Sequence, residues 1–184
     1  MSDALVSWEE VQERLAMADG DHVAIEPLID TASARANTYT GRKLAARVQT
    51  LVLDGPGSCK LILPDWPINS VTSVHVDPTR VWAPEYEVTD FVAYAETGIL
   101  LRNSSWGTGR QTIRIIANLG YETVPDDLRE SIIQLVAYWN GSPGIGWISA
   151  AESVRGGAYQ THYVGQLDLP FQVRTIWDSY RRYD

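Results

Sequence analysis

Apolar residues in this chain recur at helical spacing near both ends and alternate with polar ones in between. The first helical stretch opens at "SWEE", where Ser7 suits an N-cap and Glu10 its capping-box partner. Trp8, Val11 and Leu15 then form one narrow apolar stripe. "ADGDH" (18–22) interrupts the pattern. A second helix is predicted from about Ile25, with Pro27 tolerated in its first turn. Ile25, Leu28, Ile29, Ala32, Ala36 and Tyr39 line one face, and Gly41 is placed to end it in a left-handed cap.

The period then changes from helical to alternating. Residues 46–54, 59–64, 70–77, 91–96, 98–103 and 111–118 read as six short strands, separated by turn sequences such as "DGPG", "DWPIN", "ETG" and "SSWGTG". Short strands joined by short turns pair antiparallel, because parallel pairing needs long crossovers. The stretch "LILPDWPINSVTSVHVD" (61–77) reads as a strand, a corner at Pro64 and Pro67, and a second strand, with Asp65 as a turn residue.

Helical spacing returns over 124–141, where Pro125 fits the first turn and Asp126 and Asp127 favour the positive end of the helix dipole. Leu128, Ile132, Leu135, Val136 and Trp139 share a face, and Gly141 stops the helix. Residues 141–166 are rich in Gly and Ser and read as mobile, apart from one or two helical turns at "ISAAESV". A short terminal helix follows, with Val173, Ile176, Trp177 and Tyr180 on its apolar side. The expected class is α+β: a small helical bundle with an inserted antiparallel β-sheet region and a C-terminal helix and tail. A single domain is expected, divided into a helical part (1–44), a β insertion (45–119), a helix (120–141), a mobile segment (142–168) and a C-terminal helix with its tail (169–184).

Charge adds one asymmetry. Of the net −8, residues 1–30 carry eight acids and one base, so the other 154 residues sum to −1. Such a chain does not grip a nucleic-acid backbone by counterion release. The single Cys59 excludes an internal disulfide and fits folding in a reducing cytosol. No apolar run is long enough for a membrane helix, and the acidic start lacks a signal peptide's pattern, so no membrane association is expected. Seven Trp and nine Tyr against two Phe suit half-buried and interfacial positions.

The search for chemistry is mostly negative. His22, His75 and His162 lack metal-ligand spacing, and His75 reads as a half-exposed sheet histidine. "GSPGIGW" lacks the Lys-Ser/Thr of a P-loop, and no nucleophile elbow occurs. Cys59 has Lys60 beside it but no indicated His partner. No catalytic residue, cofactor or metal is assigned. Two readings rival a structural one. Trp66, Trp82, Tyr86, Tyr94 and Trp106 suit sugar stacking in a carbohydrate- or host-surface-binding module, and Asp65 with His75 is the best pair for a small hydrolase.

Four segments carry a resemblance. "LIDTASARANTYTGRKL" (28–44), "LILPDWPINSVTSVHVD" (61–77), "IRIIANLGYETVPDDLRESIIQLVAYW" (113–139) and "LPFQVRTIWDSYRRY" (169–183) resemble, in order, the hallmarks of head–tail connector (adaptor) proteins of tailed bacteriophages and related gene transfer agents. They cover about half the chain; residues 77–90 and 141–166 match no pattern of that family. The resemblance implies a non-enzymatic virion protein, made in the host cytoplasm and placed at the head–tail interface. It would form a homo-oligomeric, typically dodecameric, ring below the portal protein, pass double-stranded DNA without sequence-specific binding, and present a platform to a neck, stopper or tail-completion protein. The family's C-terminal segment docks on the portal, which puts Trp177, Tyr180, Arg181, Arg182 and Tyr183 forward as contacts. Two Arg between Tyr residues also suit an interface on chemical grounds.

Overall fold

The computed structural model describes residues 4–141 and 169–182. The chain divides into two compact units, residues 1–41 with 124–184 and residues 42–123. The described residues form four helices and two three-stranded antiparallel sheets, an α+β architecture.

The first unit is helical. Helix α1 spans Trp8–Leu15 and carries the expected capping box: the Ser7 hydroxyl accepts from the Glu10 amide at 3.3 Å, and the Glu10 carboxylate accepts from the Ser7 amide at 2.8 Å. Helix α2 (His22–Thr40) begins three residues before the expected Ile25, because a 3-10 turn at Asp19–Asp21 runs straight into it. Pro27 therefore stands sixth in the helix and offers no N–H to the Val23 carbonyl. Both residues are exposed, so water can replace the missing bond. Gly41 ends α2 at φ 70°. Helix α3 spans Asp126–Asn140, with Pro125 at the N-cap rather than inside the first turn, and α4 spans Phe171–Ser179.

Periodicity decides what these helices bury. Ile25, Ile29, Ala32 and Ala36 of α2 face inward, as do Leu128, Ile132, Leu135 and Val136 of α3 and Val173 and Trp177 of α4. The alanines let α2 and α3 approach closely, and α4 packs on α3. Trp177 is fully enclosed. Its indole N–H donates to the Ser131 hydroxyl at 2.8 Å, and its ring lies 5.7 Å from that of Tyr39.

The second unit holds the strands: β1 (Arg47–Pro56), β2 (Lys60–Ile62), β3 (Ile68–Val76), β4 (Phe91–Tyr94), β5 (Ile99–Arg102) and β6 (Thr108–Leu119). All pairings are antiparallel, in the orders β1-β6-β3 and β2-β5-β4. In the first sheet the rows Leu53–Ile113–Val76 and Leu51–Ile115–Val74 point into the core, while Val48, Thr50 and Val52 of β1 are exposed. This is the two-residue alternation of a sheet with one solvated face. Leu61 and Leu100 carry the second sheet into the same cluster. Trp106 closes it, fully buried, its indole N–H shared between the carbonyls of Cys59 (3.0 Å) and Leu100 (3.3 Å).

Where the chain enters and leaves this unit, its two segments are joined. The Ala46 amide donates to the Tyr121 carbonyl at 3.0 Å, and the Tyr121 amide to that of Leu44 at 2.7 Å. Gly120 has φ 104°, and a Cβ there would lie 2.6 Å from the Ala45 carbonyl oxygen, so the crossing requires glycine.

Candidate functional site

The corner after β2 is a hub rather than a simple turn. Asp65 is buried and accepts from the Lys43 amide and the Gln49 side chain, both at 2.8 Å. The Arg42 guanidinium lies 3.7 Å from the centre of the Trp66 ring and donates to the Trp66 carbonyl at 2.6 Å; its other aromatic neighbour is Tyr121 at 5.3 Å. The Trp66–Pro67 peptide is cis. Trp66 is thus half-buried against its own unit. The role of Asp65 as a backbone clamp exceeds the turn residue expected from sequence.

The link between β3 and β4, residues 77–90, is organised by one carboxylate. Asp77 is fully buried and accepts from the Thr79 amide (2.7 Å), the Thr79 hydroxyl (2.6 Å) and the Trp82 amide (2.7 Å). Burial alone pushes this carboxyl up, but the bonds from the Thr79 hydroxyl and the Trp82, Thr79 and Val81 amides outweigh it and hold the group below the usual carboxylate range. Those bonds also fix Arg80 and Trp82 at φ 62°, a left-handed conformation that costs a non-glycine residue about 1–3 kcal/mol. Between them Val81 projects with 72% of its surface exposed. The link returns along the free side of β3, where the Val88 amide donates to the Val74 carbonyl at 2.8 Å and Glu87 bridges to His75. This cover is why His75 is buried rather than half-exposed as its alternating strand suggests.

On the far edge of the same sheet, β1 and β2 border an open groove of about 370 Å³ with Leu53, Leu61 and Ile62 among its lining residues. Asp54 and Lys60 bring its charges.

The residues put forward for docking sit at the end of the helical unit. Trp177 differs from the rest: its side chain has no exposed surface and holds α4 on α3. Tyr180 is half-buried, with its hydroxyl 2.5 Å from the Asp127 carboxylate. The Arg182 amide donates to the Thr40 carbonyl at 2.9 Å, and the exposed Arg181 side chain has its guanidinium 6.0 Å from the Tyr39 ring. Tyr183 and the "ISAAESV" stretch lie outside the described residues, as does the whole segment expected to be mobile.

Among the described residues the candidates for the rival chemistries are not brought together. No hydrogen bond joins Asp65 to His75, and both Asp65 oxygens serve the hub. The five aromatics proposed for sugar stacking are dispersed: Trp106 is in the core, Trp66 and Trp82 each lie beside an arginine, Tyr86 is half-buried, and Tyr94 alone is half-exposed on β4. Among the described residues no group of three or more His, Cys, Asp or Glu side chains is placed to hold a metal ion, and no helix is long and apolar enough to cross a membrane.

The described residues therefore define an α+β chain whose built features are clamps, a strained loop and a groove. The head completion protein family matches residues 4–183, and the chain belongs to that family. This bears out the resemblance to head–tail connectors. The chain is also similar in fold to a chain in the neck of an empty gene transfer agent particle computed with C6 symmetry. The TM-score is 0.63 at 16% identity, covering 98% of this chain and 91% of that one. A chain in the neck of a native particle computed with C12 symmetry aligns with TM-score 0.60 at 19% identity, over 96% of this chain and 88% of that one. A third, from the virion of the native particle, gives 0.60 at 18%, over 98% and 91%. A comparison with curated proteins finds no match.

Proposed function

We propose that this chain is a structural head–tail connector. Copies assemble as a ring, twelve in the particle, below the portal; the ring extends the DNA channel and presents a platform to the next neck or tail-completion protein. The observation that carries this reading is the family match over residues 4–183. The shared fold with neck chains of particles computed with C12 and C6 symmetry supports a ring in particular. The site of action is the head–tail interface of a virion or virion-like particle, after synthesis in the host cytoplasm. Its role is assembly, not catalysis. Double-stranded DNA passes through without sequence-specific contacts, consistent with a net charge of −8.

Portal docking is assigned to Tyr180, Arg181, Arg182 and Tyr183, with Trp177 as the buried anchor that positions them. The test removes residues 181–184 only, which spares Trp177 and Tyr180. The shortened chain loses the Arg182–Thr40 bond but keeps the parent's circular dichroism and a cooperative melt, and it no longer adds a ring to its portal in negative-stain images. Undiminished attachment of the shortened chain overturns the docking assignment. Failure of the full chain to add density to its portal overturns the connector reading.

A further inference from the structure

The β unit carries two features on opposite edges of its three-stranded sheet that fit one another. β1 and β3 flank β6 and run parallel to each other, so the C-terminal ends of both lie at the same end of the sheet, in the row Leu53–Ile113–Val76. Beyond β3 the chain forms the strained tip Arg80-Val81-Trp82. Beside β1 lies the groove with Leu53, Leu61 and Ile62 in its lining. Both features are tied to the same stretch of β6: the Arg80 guanidinium donates to the Arg110 carbonyl at 3.1 Å, and the Asp54 carboxylate accepts from the Gln111 amide at 2.7 Å.

Their charges are in complementary order. The tip offers a cation at Arg80, an apolar side chain at Val81 and, four residues on, an anion at Glu85. The groove offers an anion at Asp54, an apolar surface and a cation at Lys60. All four charged residues are exposed, and among the described residues none of them is in an ion pair within its own chain. The left-handed residues at the tip add a second reason to regard it as built for contact. Strain of that kind persists only where surrounding structure holds it, here through Asp77, and it collects at functional positions.

We infer that Val81 of one copy seats in the β1–β2 groove of the next copy, with Arg80 on Asp54 and Glu85 toward Lys60. Because tip and groove lie on opposite edges of one sheet, the contact is head-to-tail. A heterologous contact of this kind generates a ring when its rotation closes. The inference rests on the ring reading above and supplies its subunit contact.

The test follows self-association of the full chain by sedimentation velocity up to about 1 mM, a concentration at which even weak contacts of about −4 kcal/mol are populated. The parent associates with rising concentration. Val81→Asp, at an exposed position that leaves folding intact, weakens association at least tenfold. Arg80→Glu and Asp54→Arg each weaken it, and the two substitutions together restore it. A second measurement mixes a Val81→Cys, Cys59→Ser chain with a larger tagged parent chain. Native Cys59 is exposed and stands immediately before Lys60 of the groove, so a short bis-maleimide yields the mixed dimer. Association that Val81→Asp does not weaken, with no mixed cross-link, overturns this contact and leaves the ring intact. A chain that stays monomeric throughout, with no mixed cross-link, overturns the contact, and the ring reading is decided separately by whether the full chain adds density to its portal.

Discussion

Replacing Trp177 tests how the C-terminal helix is held. Trp177 has no exposed surface, lies tilted against Tyr39, and donates to the Ser131 hydroxyl, which itself donates to the Leu128 carbonyl at 2.6 Å. Trp177→Ala removes the apolar bulk and leaves a cavity, for which substitutions of this type cost about 3–5 kcal/mol. Trp177→Phe keeps most of the bulk but loses the indole donor, which takes away a hydrogen bond worth about 0.5–1.5 kcal/mol. Ser131 stays partly satisfied through Leu128, so the Phe variant falls well short of the Ala cost. In a fold whose whole stability is about 5–15 kcal/mol, the Ala variant loses a large share. Urea unfolding of the full chain, followed by far-ultraviolet circular dichroism, measures both variants. The expected order is parent, Phe, Ala, with the Ala midpoint lowered most and the slope of the helical transition preserved. An Ala variant within about 0.5 kcal/mol of the parent would refute the anchoring argument and return Trp177 to the list of surface contacts.

The remaining predictions concern the β unit. The folded Asp77 carboxyl is held below its unfolded value of about 3.9, so its contribution is present above about pH 4 and is lost as pH falls through the folded value. Asp77→Asn also points an NH₂ at the Trp82 amide that now donates to a carboxylate oxygen. The variant is therefore less stable than the parent at pH 7, and urea midpoints taken from pH 7 to pH 2.5 show the gap closing in acid; a constant gap refutes the linkage. Gly120→Ala introduces both a left-handed alanine and a clash with Ala45, and lowers stability by more than about 1 kcal/mol, read as a drop in melting temperature.

Local rules carried most of the elements. Six alternating stretches became six strands, and the Ser7–Glu10 box, Gly41 and Gly141 ended up at the helix boundaries expected of them. These depend on neighbours a few residues apart, which sequence displays. The order β1-β6-β3 depends on a pairing between residues more than fifty positions apart, which no local pattern encodes. Asp65 and Asp77 both follow a strand, where a turn-forming acid is the local expectation. Only the folded chain shows one clamping the entry segment and the other holding a strained loop. Trp177 is a different case: its helical spacing with Val173 already put it on the apolar side. That periodicity outweighs the general suitability of terminal aromatics for interfaces, and the enclosed indole follows it.

The division of charge between the two units bears on how copies can meet. Residues 42–123 hold eight bases and eight acids, so the helical unit carries the whole net charge of −8. An assembly that set helical units of successive copies face to face would oppose two strongly acidic surfaces, a repulsion that salt only partly screens at contact distance. A contact made by the neutral β unit on both sides avoids that opposition, and the order of Arg80, Val81 and Glu85 against Asp54 and Lys60 gives it a sign pattern that only head-to-tail placement satisfies. The acidic surface is then left for other duties. The same pairing predicts the salt response: raising ionic strength screens the Arg80–Asp54 pair and weakens the contact. Association of the parent should therefore fall as salt rises, and the doubly reversed Arg80→Glu, Asp54→Arg chain, which holds the same pair with its signs exchanged, should fall in parallel. A parent whose association falls steeply with salt while the double variant's does not would mean that charges other than these set the contact.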